Sequence, residues 1–171
     1  DEFKSEDLFH GIEIGVIKTK EFCDRVREMT NKDVCDEDIC WAWNQLLTDI
    51  PENKIQKLIQ LGERYHIFLL SNTNPIHWDK CVADFFPYDG YGMADYFEHA
   101  YLSFRMHLVK PTEEIFEMMM RLGNMKPEET LFVDDSKANC NGAAGLGIKT
   151  YNVTPNSDWT NDIDKILERY E

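Results

Sequence analysis

Two short apolar runs constrain this chain more than anything else in it: HIFLL, His66–Leu70, and LFVDDS, Leu131–Ser136. The first is near-continuous rather than alternating, which is the pattern of a parallel strand covered on both faces. The second runs three apolar residues into two adjacent carboxylates and a hydroxyl, and it reads as a buried strand followed by a turn. Further strands are expected at His99–Phe104 (HAYLSF) and Lys149–Val153 (KTYNV). Helical patterns fall between them, over Pro111–Leu122, Ala138–Leu146 and Trp159–Tyr170. Strands alternating with helices give an α/β fold, a parallel sheet with helices on both faces.

Residues 1–50 are strand-poor. Lys18–Thr30 places Phe22, Val26 and Met29 on one face at helical spacing, and Asp36–Leu47 does the same with Ile39, Trp43, Leu46 and Leu47. Pro51 opens a third helix whose apolar face is Ile55, Leu58, Ile59 and Leu61. The expected division is a small helical domain over 1–50 and a sheet-bearing core over 51–171. Trp41 and Trp43 are expected to pack within the helical part, and His77 and Trp78 to be structural. Met118–Met120 is read as a helix face packing on the sheet, because no His or Cys joins it as a soft-metal site. The stretch around Tyr88–Gly92 is rich in turn residues.

Charge excludes some partners. A net charge of −14 argues against a nucleic-acid or anionic-membrane surface, so an anionic substrate needs a local positive spot. The five cysteines, Cys23, Cys35, Cys40, Cys81 and Cys140, are odd in number and irregularly spaced, without a zinc pattern. They are expected to be reduced thiols of a cytoplasmic protein.

In open α/β sheets, ligands bind outside the carboxyl ends of the strands. Two strands here end in polar groups: Ser71-Asn72-Thr73 and Asp134-Asp135-Ser136. Lys110 joins them, because a residue before proline is kept out of the helical region and belongs on the loop at a helix mouth. Each group has an ordinary explanation: a side-chain-bonded turn, a solvated lysine, a helix N-cap. Their order along the chain weakens those explanations. Ser71 offers a hydroxyl, the backbone around Asn72 can cradle an anion, and Lys110 is a point charge suited to phosphate. Two carboxylates with no basic partner suit a hard dication such as Mg²⁺. A phosphate, sulfate or similar anion is expected between Ser71, Asn72 and Lys110, and in the intact enzyme Lys110→Ala is expected to remove most of the turnover while leaving the fold intact.

The motifs YHIFLLSNTNPIH, LVKPTEEIFEMM and EETLFVDDSKANCNGAAGLGIKTY, preceded by AWNQLLTDIP, together resemble the haloacid-dehalogenase superfamily of hydrolases. Within it the chain is most similar to the sugar-phosphate phosphatases of the glucose-1-phosphatase type, with a helical cap. The resemblance implies a Rossmann-like three-layer α/β/α core, and a Mg²⁺-dependent phosphatase acting on small phosphorylated metabolites through an aspartyl-phosphate. It implies that Ser71, helped by Asn72, holds the transferring phosphoryl group. Lys110 would neutralise it, and Asp135 would ligate Mg²⁺ directly, with Asp134 acting through water. Asn139 would shape the loop.

One element of the pattern is not found. Members carry a first strand ending in DxD, between the SNT strand and the VDD strand, whose first aspartate is the nucleophile. Asp1 has no apolar run before it and is not accepted as that residue, so the chain as written is expected to be inactive alone. Neighbouring strands lie about 4.8 Å apart, so strands flanking a missing one would stand nearly 10 Å apart (about twice that spacing) and unpaired. Two alternatives stay open: a dehalogenase on the same fold, which needs no metal, and a non-catalytic binding member of the family.

Overall fold

The structure is a computed structural model and describes residues 2–170, with side chains from Asp7 to Tyr170; Asp1 therefore lies outside the described residues. Four helices come first: α1 (Glu2–Glu13), α2 (Thr19–Thr30), α3 (Asp36–Asn44) and α4 (Glu52–Gly62). Strand β1 (Phe68–Ser71) leads into α5 (Pro75–Lys80), which continues as one π-turn over Cys81–Phe85. After α6 (Met93–Tyr96) come β2 (His99–Leu102), α7 (Ser103–Met106) and α8 (Glu113–Leu122). The chain closes with β3 (Leu131–Asp134), α9 (Lys137–Gly145), β4 (Lys149–Asn152) and α10 (Ile163–Glu168).

The strands form two parallel pairs. In β1–β2, Phe68 lies opposite His99 and Ser71 opposite Leu102. In β3–β4, Leu131 lies opposite Lys149 and Asp134 opposite Asn152. Strands β1 and β3 do not pair with each other, as the argument for a strand between them requires. What joins the two pairs is α8. Its Ile115, Phe116, Met119 and Met120, spaced to lie on one stripe, share a buried cluster with Leu70 and Tyr101 of the first pair and Phe132 of the second. The methionine run thus packs on the sheet, as its sequence suggested. Burying one such side chain is worth about 1.5–3 kcal/mol.

The other face of β1 is covered too. Leu69 packs in a cluster with Ile55 of α4, Trp78 of α5, and Tyr96 and Phe97. A third cluster gathers Leu8, Ile12, Phe22, Cys23 and Ile39 from α1–α3 around Ile76 of α5. Arg27 fastens this helical layer by donating to Asp24, to Asp36 and to the carbonyl of Val34.

Several packing expectations are corrected. Trp41 does not pack in the helical part and is 66% exposed, and Leu46 is 67% exposed because α3 ends before it, at Asn44. Met29, on the last turn of α2, is also exposed. Val133, in the middle of an apolar run, is exposed as well; among the described residues β3 pairs along one edge only. HAYLSF is strand only to Leu102, after which Ser103 begins a helical turn.

Candidate active site

Ser71 ends β1 and Asp134 ends β3, so the chain direction of both strands delivers their polar tips to the same edge. Lys110 reaches them from the loop before α8. Its Nζ donates to Asp134 Oδ2 at 2.7 Å and to the Leu70 carbonyl at 2.9 Å. The lysine thereby spans from the end of β1 to the end of β3. Both side chains are buried, 9% exposed for Lys110 and 8% for Asp134. The ammonium also lies 5.4 Å from the centroid of the Phe132 ring.

Asp134 is satisfied on every side. Oδ1 accepts from the Ser136 N–H at 2.8 Å and from Asn139 Nδ2 at 3.0 Å. Its carbonyl accepts from Asn152 Nδ2 at 3.0 Å and from the Val153 N–H at 3.1 Å. The turn exists because Ser136 caps α9, its Oγ accepting from the Asn139 N–H. The sequence expectation that neither carboxylate has a basic partner therefore fails at Asp134: the partner is Lys110, 24 residues away. Asp135, by contrast, is exposed and makes no hydrogen bond or ion pair with the described residues.

Asn72 plays a part that the sequence did not suggest. Its side chain is spent on the Lys110 backbone, donating to the carbonyl at 2.9 Å and accepting from the N–H at 2.8 Å. It is a positioning residue for the lysine loop. Ser103 is the residue that sequence reasoning missed. Fully buried at the end of β2, its Oγ accepts from the Thr73 N–H at 2.9 Å and donates to the Thr73 carbonyl at 2.8 Å. The signal was its place one residue beyond the strand that pairs with β1. With Thr73 pinned, the Ser71 hydroxyl remains without a partner among the described residues and is free for a ligand.

Gly142 on α9 sets the spacing behind this turn. A Cβ there would lie 2.5 Å from the Pro111 carbonyl oxygen and 3.2 Å from Phe116. Helix α9, which carries Asn139, can approach the Lys110–Pro111 loop only because that position has no side chain.

Beside the Asn72–Asn74 turn lies a cavity of about 280 Å³, walled on its other side by Phe9, His10, Glu13 and Trp43, with His77 completing it. Asn74 caps α5 and accepts from the His77 N–H at 3.0 Å. Phe9, Trp43 and His77 stack in series, with centroids 5.0 and 5.5 Å apart, so the stack bridges the helical layer and α5. His77 Nε2 faces the Trp43 carbonyl at 3.2 Å, and burial pushes the imidazole below its ordinary value. Glu13 is pushed up, first by burial, with His10 pulling the other way. His77 therefore borders the site, whereas Trp78 is a core residue. The five thiols are all free, and among the described residues no helix is long and apolar enough to cross a membrane.

Known proteins resemble this chain in sequence and fold. The family described as haloacid dehalogenase-like hydrolase matches residues 86–153. A solved structure of a HAD family enzyme from Bacteroides thetaiotaomicron, in complex with magnesium and inorganic phosphate, superposes with a TM-score of 0.89 at 44% identity, over 90% of this chain and 78% of that one. A predicted HAD-like family hydrolase from Porphyromonas gingivalis gives a TM-score of 0.88 at 34% identity, over 94% of this chain and 78% of that one. A D-ribitol-5-phosphate phosphatase of Bacteroides thetaiotaomicron is 29% identical over 167 residues, 98% of this chain and 81% of its own. On its fold and on these likenesses together, the chain belongs to the haloacid dehalogenase-like hydrolases.

Proposed function

We propose that the protein is a Mg²⁺-dependent phosphatase of small phosphorylated metabolites, sugar phosphates among them, working through an aspartyl-phosphate. One observation carries the reading: the Lys110 ammonium is fixed between Leu70 of β1 and Asp134 of β3, whose next residues in sequence are an unpartnered hydroxyl, Ser71, and a free carboxylate, Asp135. Catalysis of phosphoryl transfer is mostly positioning and charge neutralisation, and these are the groups it needs. Ser71 donates to a phosphoryl oxygen. Lys110 neutralises phosphoryl charge from a position that Asn72, Leu70 and Asp134 hold in advance.

The residues fit magnesium. Among the described residues no cluster of three or more His, Cys, Asp or Glu could cage an ion. Magnesium does not require one: it is bound by one or two carboxylates together with substrate phosphate and water. Asp135 would hold it directly. Both Asp134 oxygens are already bonded, which suits contact through water. When bound, the ion supplies charge neutralisation at phosphoryl oxygens.

The family's nucleophilic aspartate belongs on a strand between β1 and β3, and the unpaired edges of those two strands support that place for it over a closed-sheet, non-catalytic variant. In the family's chemistry that carboxylate would attack phosphorus while the ester P–O bond breaks and the second aspartate of the DxD motif protonates the departing alkoxide; water would then cleave the aspartyl-phosphate, releasing phosphate and restoring the carboxylate. The helical layer α1–α3 serves as the cap. Five free thiols favour a cytoplasmic location.

Asp135→Asn tests the assignment. Magnesium should no longer raise the melting temperature of the variant, and turnover of p-nitrophenyl phosphate by the enzyme should lose its metal dependence. Full turnover of the wild-type enzyme in EDTA would instead favour a dehalogenase on the same fold.

A further inference from the structure

The cavity between α1, α3 and the Asn72–Asn74 turn is contiguous with the site through Asn72, which holds the Lys110 backbone. We infer that it receives the non-phosphate end of the substrate, and that Glu13 restricts that end to neutral, hydroxylated groups: a small polyol or sugar monophosphate, not a phosphorylated acid or a bisphosphate. This inference rests on the phosphatase reading above.

Size sets the first limit. At about 280 Å³ the space falls at the bottom of the range of roughly 300–1,000 Å³ typical of ligand sites, so it suits a small metabolite. Charge sets the second. Glu13 is half-buried on the cavity wall and makes no hydrogen bond or ion pair with the described residues. A carboxylate in that position accepts bonds from hydroxyl groups and repels a second anion. Among the described residues the charge that acts on it is His10, which is exposed and weaker than the burial opposing it. Shape sets the third. The Phe9–Trp43–His77 stack gives the cavity an apolar wall, and the carbon backbone of a polyol presents an apolar edge of that kind.

The unpaired acid has a cost that can be read separately. Because the folded value of Glu13 is raised, the folded state holds the proton more tightly, and stability falls as pH climbs past the ordinary 4.5. Glu13→Gln should therefore raise the melting temperature at neutral pH, with no gain at strongly acidic pH.

The test compares glycerol phosphate with phosphoglycerate, near-equal in length and differing in a terminal hydroxyl against a carboxylate. The magnesium-loaded wild-type enzyme, with the family's nucleophile strand in place, should show the higher kcat/KM with glycerol phosphate. Glu13→Gln should shrink that preference about tenfold, and Glu13→Lys should reverse it. A wild-type preference for phosphoglycerate would overturn the inference without any variant. So would an unchanged ratio in both variants, while leaving the phosphatase reading intact. A wild-type enzyme that hydrolyses neither ester nor p-nitrophenyl phosphate would overturn both.

Discussion

The seam between β1 and β3 and the cavity beside it are built on opposite terms. At the seam, Lys110, Asp134, Asn72 and Ser103 are buried or half-buried, and their polar atoms are bonded within the protein. In the cavity wall Glu13 has no partner among the described residues, and Trp43 Nε1 is buried without one. On the proposed reading the seam would meet the phosphoryl group, the part shared by every substrate of a phosphatase, and its bonds are in place before anything binds. The cavity, on the same reading, would meet the part that differs between substrates, with Glu13 open to its hydroxyl groups. Rigidity and selectivity would thus fall to neighbouring sets of residues that share Asn72.

The sharpest way to break this contrast is Lys110→Ala. The substitution leaves Asp134 buried without its cation, and losing one partner of a buried pair costs about 3–5 kcal/mol. Urea unfolding should register that loss alongside the loss of turnover. This revises the expectation that the lysine can be removed with the fold intact. A variant as stable as the wild type would show that the seam is not preorganised at all.

Ser103→Ala is the next largest test. It removes both bonds to Thr73 from a fully buried site and should cost about 1–3 kcal/mol. The released turn should also weaken binding of inorganic phosphate, measured by calorimetry. Loss of stability with phosphate affinity unchanged would detach Ser103 from the seam.

The smallest effect concerns the cavity wall and pH. Burial holds the folded His77 value below the ordinary 6.5, so its neutral form contributes stability above that value. That contribution is lost as pH falls from 6.5 through the lowered folded value. His77→Phe should keep the aromatic stack and flatten the stability profile over that window. An unaltered profile would mean that the imidazole is not desolvated as its place between Trp43 and α5 implies.

The sheet and α8 were legible in the sequence because their signals are local. Continuous apolar runs gave β1 and β3 to within two residues, and the Met118–Met120 run marked the packing side of α8, where Met119 and Met120 are buried beside Ile115 and Phe116. The three groups that end up together could also be picked out by strand direction and proline chemistry. The bonds among them could not. Lys110 and Asp134 are 24 residues apart, Ser103 and Thr73 are 30 apart, and no periodicity encodes such pairs. Glu13 was passed over for the opposite reason: an acid in a polar opening segment looks solvated, and only the fold places it against the Asn72–Asn74 turn.

Gly142 touches neither phosphate nor metal in any reading of this site, yet its missing methyl fixes how near α9 comes to the Lys110–Pro111 loop. The catalytic spacing is thus controlled from behind by a dimension of the scaffold, much as a shim sets the gap between two jaws. Scanning mutagenesis scored on turnover alone would classify this glycine with the catalytic groups. Growth of a single methyl there would press first on the Lys110–Pro111 loop and reach the cavity only through Asn72, which holds that loop.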